Sequence, residues 1–155
     1  MENEKFEKAY EVRWDQLDPI GHLRGPVVID FALNTQMSWI KSYGYGQDKL
    51  AMAGYDPVVL KLEVKYQHEA IIGETLIDIP QLSGLSRDGS MWKTTHEIRK
   101  ENGDRVASIK LEGTWFNWKS RRAMPPDSEL LRILNSAQKS TNFKVMRSIM
   151  PRNAE

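Results

Sequence analysis

The sequence contains no cysteine in its 155 residues. That excludes disulfides, thiolate catalysis and cysteine-ligated metal sites, and it fits a reducing, cytoplasmic location. Histidine is scarce. The three present show no metal-binding spacing, so no metal is expected. An excess of one charge is also missing: 22 basic side chains nearly cancel 21 acidic ones. Neither nucleic acid nor an anionic membrane is therefore called for as a partner. No apolar run approaches the roughly 20 residues that span a bilayer. The stretch from Met1 to Lys8 is charged and lacks an apolar segment, so no secretory signal is expected. There is no internal repeat, low-complexity segment or interdomain linker. What is left is a chain of one-domain length, able to bury roughly two-thirds of its unfolded surface.

Alternation marks the strands. Phe6, Lys8, Tyr10, Val12 and Trp14 share one parity, which predicts a strand over 6–14. A loop follows to Gly25, and 27–43 predicts a helix ending at Gly44. Its first two turns are apolar nearly all round (Val27, Val28, Ile29, Phe31, Ala32, Leu33), so enclosure is expected. A short second helix is expected at 47–53. After Pro57 the period becomes two: Val58, Leu60, Leu62, Val64 and Tyr66 alternate with charged residues. Further strands are expected at 74–86, 91–100 and 105–118. Pro80 points to an edge or bulge, and Asn102-Gly103 to a hairpin turn. Strands and helix are segregated, which argues for an α+β antiparallel sheet. Residues 1–130 are assigned to one domain. Residues 131–155 are a C-terminal extension, a short helix over 128–137 and then a flexible basic tail after Asn142.

The chemistry concentrates in Asp18-Pro19-Ile20-Gly21-His22-Leu23-Arg24-Gly25-Pro26, directly before the apolar helix. Gly25 suits the N-cap and Pro26 the first helical position. The first-turn N–H groups lack intrahelical partners, and the helix dipole adds positive charge, so a carbonyl oxygen there would be stabilised as an oxyanion. Asp18 is the candidate nucleophile or general base. His22 is the candidate to hold water, bond the substrate carbonyl or orient Asp18. Arg24 is a candidate for a phosphate or acyl carboxylate, and Asp30 is a backup acid. The spacing equally suits a structural role, since Asp-Pro commonly makes a side-chain-capped turn. His68 and His96 read as sheet-surface or satisfied core residues. Trp92, Trp115, Phe116 and Trp118 read as core and interface.

The element order and the loop together resemble the hotdog-fold acyl-CoA thioesterases, in the branch related to 4-hydroxybenzoyl-CoA thioesterase. The resemblance covers roughly residues 6–126. It rests on the string from Val12 to His22, on Trp39 and Gly44 at the helix end, and on Pro57-Val58-Val59 and Tyr66. Gly103-Asp104-Arg105-Val106-Ala107 and Met124-Pro125 complete it. It implies a long central helix wrapped by a curved antiparallel sheet of about five strands. It implies a thioester hydrolase in which Asp18 attacks the thioester carbonyl or activates water, and the Gly25 N–H polarises that carbonyl. Around the site it implies substrate contacts from Arg24, Pro26 and Val28. Coenzyme A then enters as part of the substrate and no separate cofactor is needed. Sites in this fold lie between subunits, so a homodimer or a dimer of dimers is implied.

The chain departs from the family pattern at Gln16, Arg24, Val28, Asn34 and Gln36. These departures leave other readings open. One is an acyl-carrier-protein thioesterase, another an acyl-thioester hydratase or dehydratase, and a third a non-catalytic acyl-CoA-binding protein. Arg121-Arg122 is a further candidate for coenzyme A phosphates.

Overall fold

The longest alternating stretches become the longest strands. The computed structural model describes residues 5–151. In it β1 (Lys8–Glu11), β2 (Tyr55–Tyr66), β3 (Thr75–Ser86), β4 (Met91–Lys100) and β5 (Arg105–Asn117) form one antiparallel sheet in the order β1-β3-β4-β5-β2. Two strands join it that alternation does not reveal. β6 (Arg122–Ala123) pairs with β5, and β7 (Lys139–Met146) runs parallel to β3. The segment after Asn142, expected as a flexible tail, is thus sheet as far as Met146. The first four residues and the last four lie outside the described residues, as do the corresponding ends of the charged opening and of that tail.

β1 is shorter than the 6–14 predicted, because Trp14–Gln16 turns into a single 3-10 turn and leaves Trp14 exposed. Pro80 sits where β1, paired to 75–78, has ended and β7, paired to 82–86, has not begun. Its missing N–H therefore breaks no ladder, and β3 carries a register shift just beyond it, between Leu82 and Gly84. The Pro80 carbonyl accepts a hydrogen bond from the Gln138 amide instead.

The central helix α1 (Gly25–Ser42) lies on the concave side of the sheet. It buries Val27, Val28, Phe31, Ala32, Thr35, Gln36, Trp39 and Ile40, residues that recur at helical spacing on one face. Enclosure on all sides is not found. Leu33 remains 37% exposed, and Asp30 and Asn34 are exposed beside it. A short helix α2 (Gln47–Ala53) follows and leads into β2. Trp92 and Trp115 are core residues, whereas Trp118 lies half open to solvent. Among the described residues no helix is long and apolar enough to cross a membrane.

A third helix, α3 (Ser128–Ser136), closes the core near the C-terminal end of α1 with Leu130, Ile133 and Leu134. Asp127 caps it: Oδ1 accepts from the Leu130 N–H at 2.8 Å, and Oδ2 accepts from the Tyr45 hydroxyl at 2.7 Å. Tyr45 also bonds Tyr55 at 2.7 Å. Burial, together with these bonds, pushes the Tyr45 hydroxyl far above its ordinary value, so it remains a donor.

The C-terminal segment is tied down by one carboxylate. Asp88 accepts hydrogen bonds from Ser86, Ser90 and Ser148. Partial burial acts to raise its pKa, but these bonds and the Ser90 N–H outweigh it and hold the carboxyl down at about 2. A depressed carboxyl contributes stability that is present above its unfolded value and is lost as pH falls through its folded value. Acidification from pH 3.8 towards 2 is therefore expected to free the segment around Ser148. Hydrogen exchange should show rising exchange at the Ile149 amide, which donates to Ser90 Oγ. Exchange there that is flat across this window would contradict the assignment.

Candidate active site

The loop from Gln16 to Arg24 folds back on itself as a tight hairpin. The Arg24 N–H donates to the Gln16 carbonyl at 2.9 Å, Leu17 and Leu23 form a bridge, and the Asp18 N–H donates to the His22 carbonyl at 2.7 Å. Gly21 sits at the tip with φ +87°, a conformation other residues adopt only with strain. The Leu23 N–H donates to the Ala70 carbonyl at 2.8 Å, which fastens the hairpin to the chain leaving β2.

Asp18 does make the side-chain-capped turn that its sequence suits. Its Oδ1 accepts the N–H groups of Ile20 and His22, each at 3.0 Å. Its Oδ2 accepts nothing from the described residues, and the side chain faces a groove of about 360 Å³. The turn engages one oxygen of the carboxylate and leaves the other without a partner among the described residues.

The helix start is shifted by one residue from the sequence reading. Arg24 is the N-cap, Gly25 is the first helical residue and Pro26 the second. The shift arises because Arg24 is held extended by its bond to Gln16. It leaves the Gly25 N–H as the first orphan donor of α1, with no acceptor among the described residues. The Tyr66 hydroxyl donates to the Gly25 carbonyl at 2.8 Å. That contact accounts for glycine here, since a Cβ would lie 3.0 Å from the Tyr66 oxygen.

Asp18, His22, Gly25 and Val28 all line this one groove. Arg24 and Pro26 do not; both are exposed outside its wall. Asp30 is on the open face of α1, Asn34 accepts from Lys8 at 2.5 Å, and Gln36 is buried two turns further along the helix. The family departures at Asn34 and Gln36 therefore lie away from the groove. Arg121 stacks over the Phe116 ring at 5.2 Å and is not part of the groove wall.

The opposite wall was not read from the sequence. It is the run Tyr66-Gln67-His68-Glu69-Ala70, with Val106 behind it. His68 Nδ1 bonds the Arg105 carbonyl at 2.8 Å and so is fixed at the groove edge. Glu69 is held below the usual carboxylate range by a hydrogen bond within its own residue and then by the charges of His22, Lys100 and His68. The available signal was the end of alternation: three polar residues in a row, Gln67-His68-Glu69, follow Tyr66 where the alternating strand stops. Among the described residues no group of histidines and carboxylates could hold a metal ion.

A groove with a free carboxylate oxygen and a free helix-start N–H can hold a carbonyl between a base and an oxyanion donor. A sequence model described as the thioesterase-like superfamily matches residues 12–134. No curated protein matches the chain. Among solved structures, a hypothetical protein from Staphylococcus aureus in complex with CoA superposes with a TM-score of 0.79 at 14% identity, over 91% of this chain and 90% of that one. A 1,4-dihydroxy-2-naphthoyl-CoA thioesterase from Synechocystis gives 0.76 at 12% identity, over 84% and 96%. A probable thioesterase from Escherichia coli gives 0.69 at 20% identity, over 83% and 95%.

Proposed function

Because the chain belongs to the thioesterase-like superfamily, and so is a thioester hydrolase with the hotdog fold, we propose that it hydrolyses an acyl-CoA at the groove between Asp18 and the start of α1. The observation that carries this reading is the pairing of an uncommitted Asp18 Oδ2 with the unpartnered Gly25 N–H in one groove. The carboxylate attacks the thioester carbonyl, or takes a proton from the water that does. The carbonyl oxygen gathers negative charge and receives the Gly25 N–H, reinforced by the helix dipole. Collapse breaks the carbon–sulfur bond, and the CoA thiolate leaves and is protonated. In the covalent route a water then releases the acid from Asp18. His22 stands on the same wall, where it can orient water or that carbonyl. Coenzyme A as the carrier is supported by the CoA-bound neighbour.

The working form is a homodimer or a dimer of dimers. β2 is the free edge of the main sheet, and its Val59, Leu60, Leu62 and Tyr66 are exposed, as is Leu33 on α1. A bare apolar edge of this kind is normally paired or covered. Tyr66 belongs both to that edge and to the groove, so a partner on β2 would also border the site.

The direct test is release of free thiol from a panel of short, long and aromatic acyl-CoAs, read with a colorimetric thiol reagent. The absence of cysteine keeps the protein silent in this assay. Turnover of at least one CoA thioester is expected. Turnover confined to acyl-carrier-protein thioesters would replace the carrier. Saturable acyl-CoA binding without thiol release would replace hydrolysis by a binding role.

A further inference from the structure

The wall facing Asp18 has committed its hydrogen-bond donors and kept its acceptors. The Tyr66 hydroxyl gives its proton to the Gly25 carbonyl at 2.8 Å, which leaves the lone pairs of Oη for the groove. His68 Nδ1 lies 2.8 Å from the Arg105 carbonyl, a group that can only accept, so Nδ1 carries the proton. In the neutral ring Nε2 is then an acceptor. The Gln67 N–H donates to the Val106 carbonyl at 2.9 Å, and the His68 N–H shares that carbonyl at 3.4 Å. Gln67 turns its side chain away to Ser108, whose hydroxyl donates to Oε1 at 3.4 Å and which does not line the groove. The Glu69 N–H bonds its own carboxylate. That carboxylate forms no ion pair with another of the described residues.

Charge points the same way. Among the described residues no lysine or arginine lines the groove. Lys100, whose charge reaches Glu69, is engaged by Glu74 at 3.1 Å. Arg24, the side chain expected to meet an acyl carboxylate, lies outside the wall. Leu23, Val28, Ala70 and Val106 supply the apolar part of the lining. The Gly25 N–H, the donor left over on the other wall, is assigned to the thioester carbonyl. An acyl tail lying along the run from Tyr66 to Glu69 therefore displaces water from three acceptors, one of them charged. An apolar tail leaves all three unpaired, and a carboxylate tail adds a charge of the same sign.

Resting on the reading of this groove as the site of acyl-CoA hydrolysis, we propose that the acyl group it accepts ends in an ammonium, held by Tyr66 Oη, His68 Nε2 and the Glu69 carboxylate. An ammonium brings three N–H donors and no acceptor, so it matches a wall with acceptors left and donors committed. Its charge is the one Glu69 lacks a partner for, and charge-assisted hydrogen bonds are roughly twice as strong as neutral ones. A hydroxyl would serve one acceptor and leave the carboxylate charge unmatched. The carbonyl end stays between Asp18 Oδ2 and the Gly25 N–H. The phosphates of coenzyme A, which carboxylates repel, stay outside the groove.

The test compares thiol release from β-alanyl-CoA, 3-hydroxypropionyl-CoA, butyryl-CoA and succinyl-CoA, whose tails are of similar length and differ in their end group. It is run at about pH 8, where histidine is ordinarily neutral and an alkylammonium charged. kcat/KM for β-alanyl-CoA is expected to exceed that for butyryl-CoA about tenfold, with the hydroxyl compound between them and succinyl-CoA lowest. Glu69→Gln is expected to cut the β-alanyl-to-butyryl ratio about tenfold, and Glu69→Lys to raise succinyl-CoA above β-alanyl-CoA. Circular dichroism establishes that each variant is folded. Butyryl-CoA or 3-hydroxypropionyl-CoA matching β-alanyl-CoA, or Glu69→Gln lowering every substrate alike, would overturn the ammonium site. Release from unsubstituted acyl-CoAs with none from β-alanyl-CoA would overturn it while leaving the hydrolysis reading in place. If no acyl-CoA releases thiol, the hydrolysis reading fails, and affinities measured by calorimetry decide the ammonium site alone. A preference for β-alanyl-CoA then supports it, and equal affinities overturn it.

Discussion

Asp18→Asn is expected to lower kcat for thioester hydrolysis by roughly two to four orders of magnitude, the usual loss when a positioned base or nucleophile is removed. It is expected to leave the melting temperature close to wild type. Both expectations come from the two oxygens of one side chain. Asparagine retains a carbonyl oxygen, which can take the place of Oδ1 and accept from Ile20 and His22. The hairpin and the start of α1 therefore stay where they are. What asparagine loses is the second, uncommitted oxygen, the one the chemistry requires. If the folded variant hydrolysed its best substrate at the wild-type rate, Asp18 would be only a turn residue and the carboxylate would have to be sought elsewhere. The other carboxylate lining the groove is Glu69, on its facing wall. Asp18→Ala is the less informative variant, because it also removes the turn acceptor and mixes loss of chemistry with loss of shape.

The parts of the site contributed by one continuous stretch were legible in the sequence. Asp18, His22 and the helix start lie within a few residues of one another, so their juxtaposition needs no knowledge of long-range contacts. The exact start of α1 was not legible, because the bond from the Arg24 N–H to Gln16 decides it and that bond depends on the hairpin closing. The facing wall, from Tyr66 to Ala70, begins 48 residues after Asp18. The pairing of β2 with β5, the Leu23–Ala70 bond and the Tyr66–Gly25 bond bring it to the Asp18 loop. The strands were legible wherever one face is apolar. β7 was not, since Lys139–Met146 is mostly polar and takes its order from β3 rather than from its own alternation. The proline in β3 was readable as an irregularity but not as the gap between two neighbouring strands. The burial of His96 had a signal, because it shares parity with Trp92, Thr94 and Ile98. Its partners on β3 and α1 had none.

That histidine carries the largest stability effect expected of a single substitution. His96 and Asp78 are both fully buried, with Nδ1 at 3.0 and 3.2 Å from the two carboxylate oxygens. Nearby, burial pushes the Tyr10 hydroxyl above its ordinary value; its bond to Thr35 acts the other way, and the charge of Asp78 adds to the rise. Removing one partner of such a pair strands the other without water. His96→Leu is therefore expected to destabilise the protein by about 3–5 kcal/mol. For a chain of this size that lowers the melting temperature by roughly 6–20 °C. The double variant Asp78→Leu/His96→Leu is expected to recover most of the loss, because replacing both members of a buried pair by apolar residues is often neutral or better. The network joins α1, through Gln36, to β3 and β4, and so fixes the rotation of the helix on the sheet. That rotation sets the direction of the Gly25 N–H at the far end of the same helix. The double variant should accordingly regain its melting temperature without regaining full kcat, with KM little changed. Thermal unfolding and thiol release on the same preparations separate the two effects. If the double variant recovers both stability and kcat, the pair contributes stability alone. If the single variant loses less than about 1 kcal/mol, the buried pair does not carry the stability assigned to it.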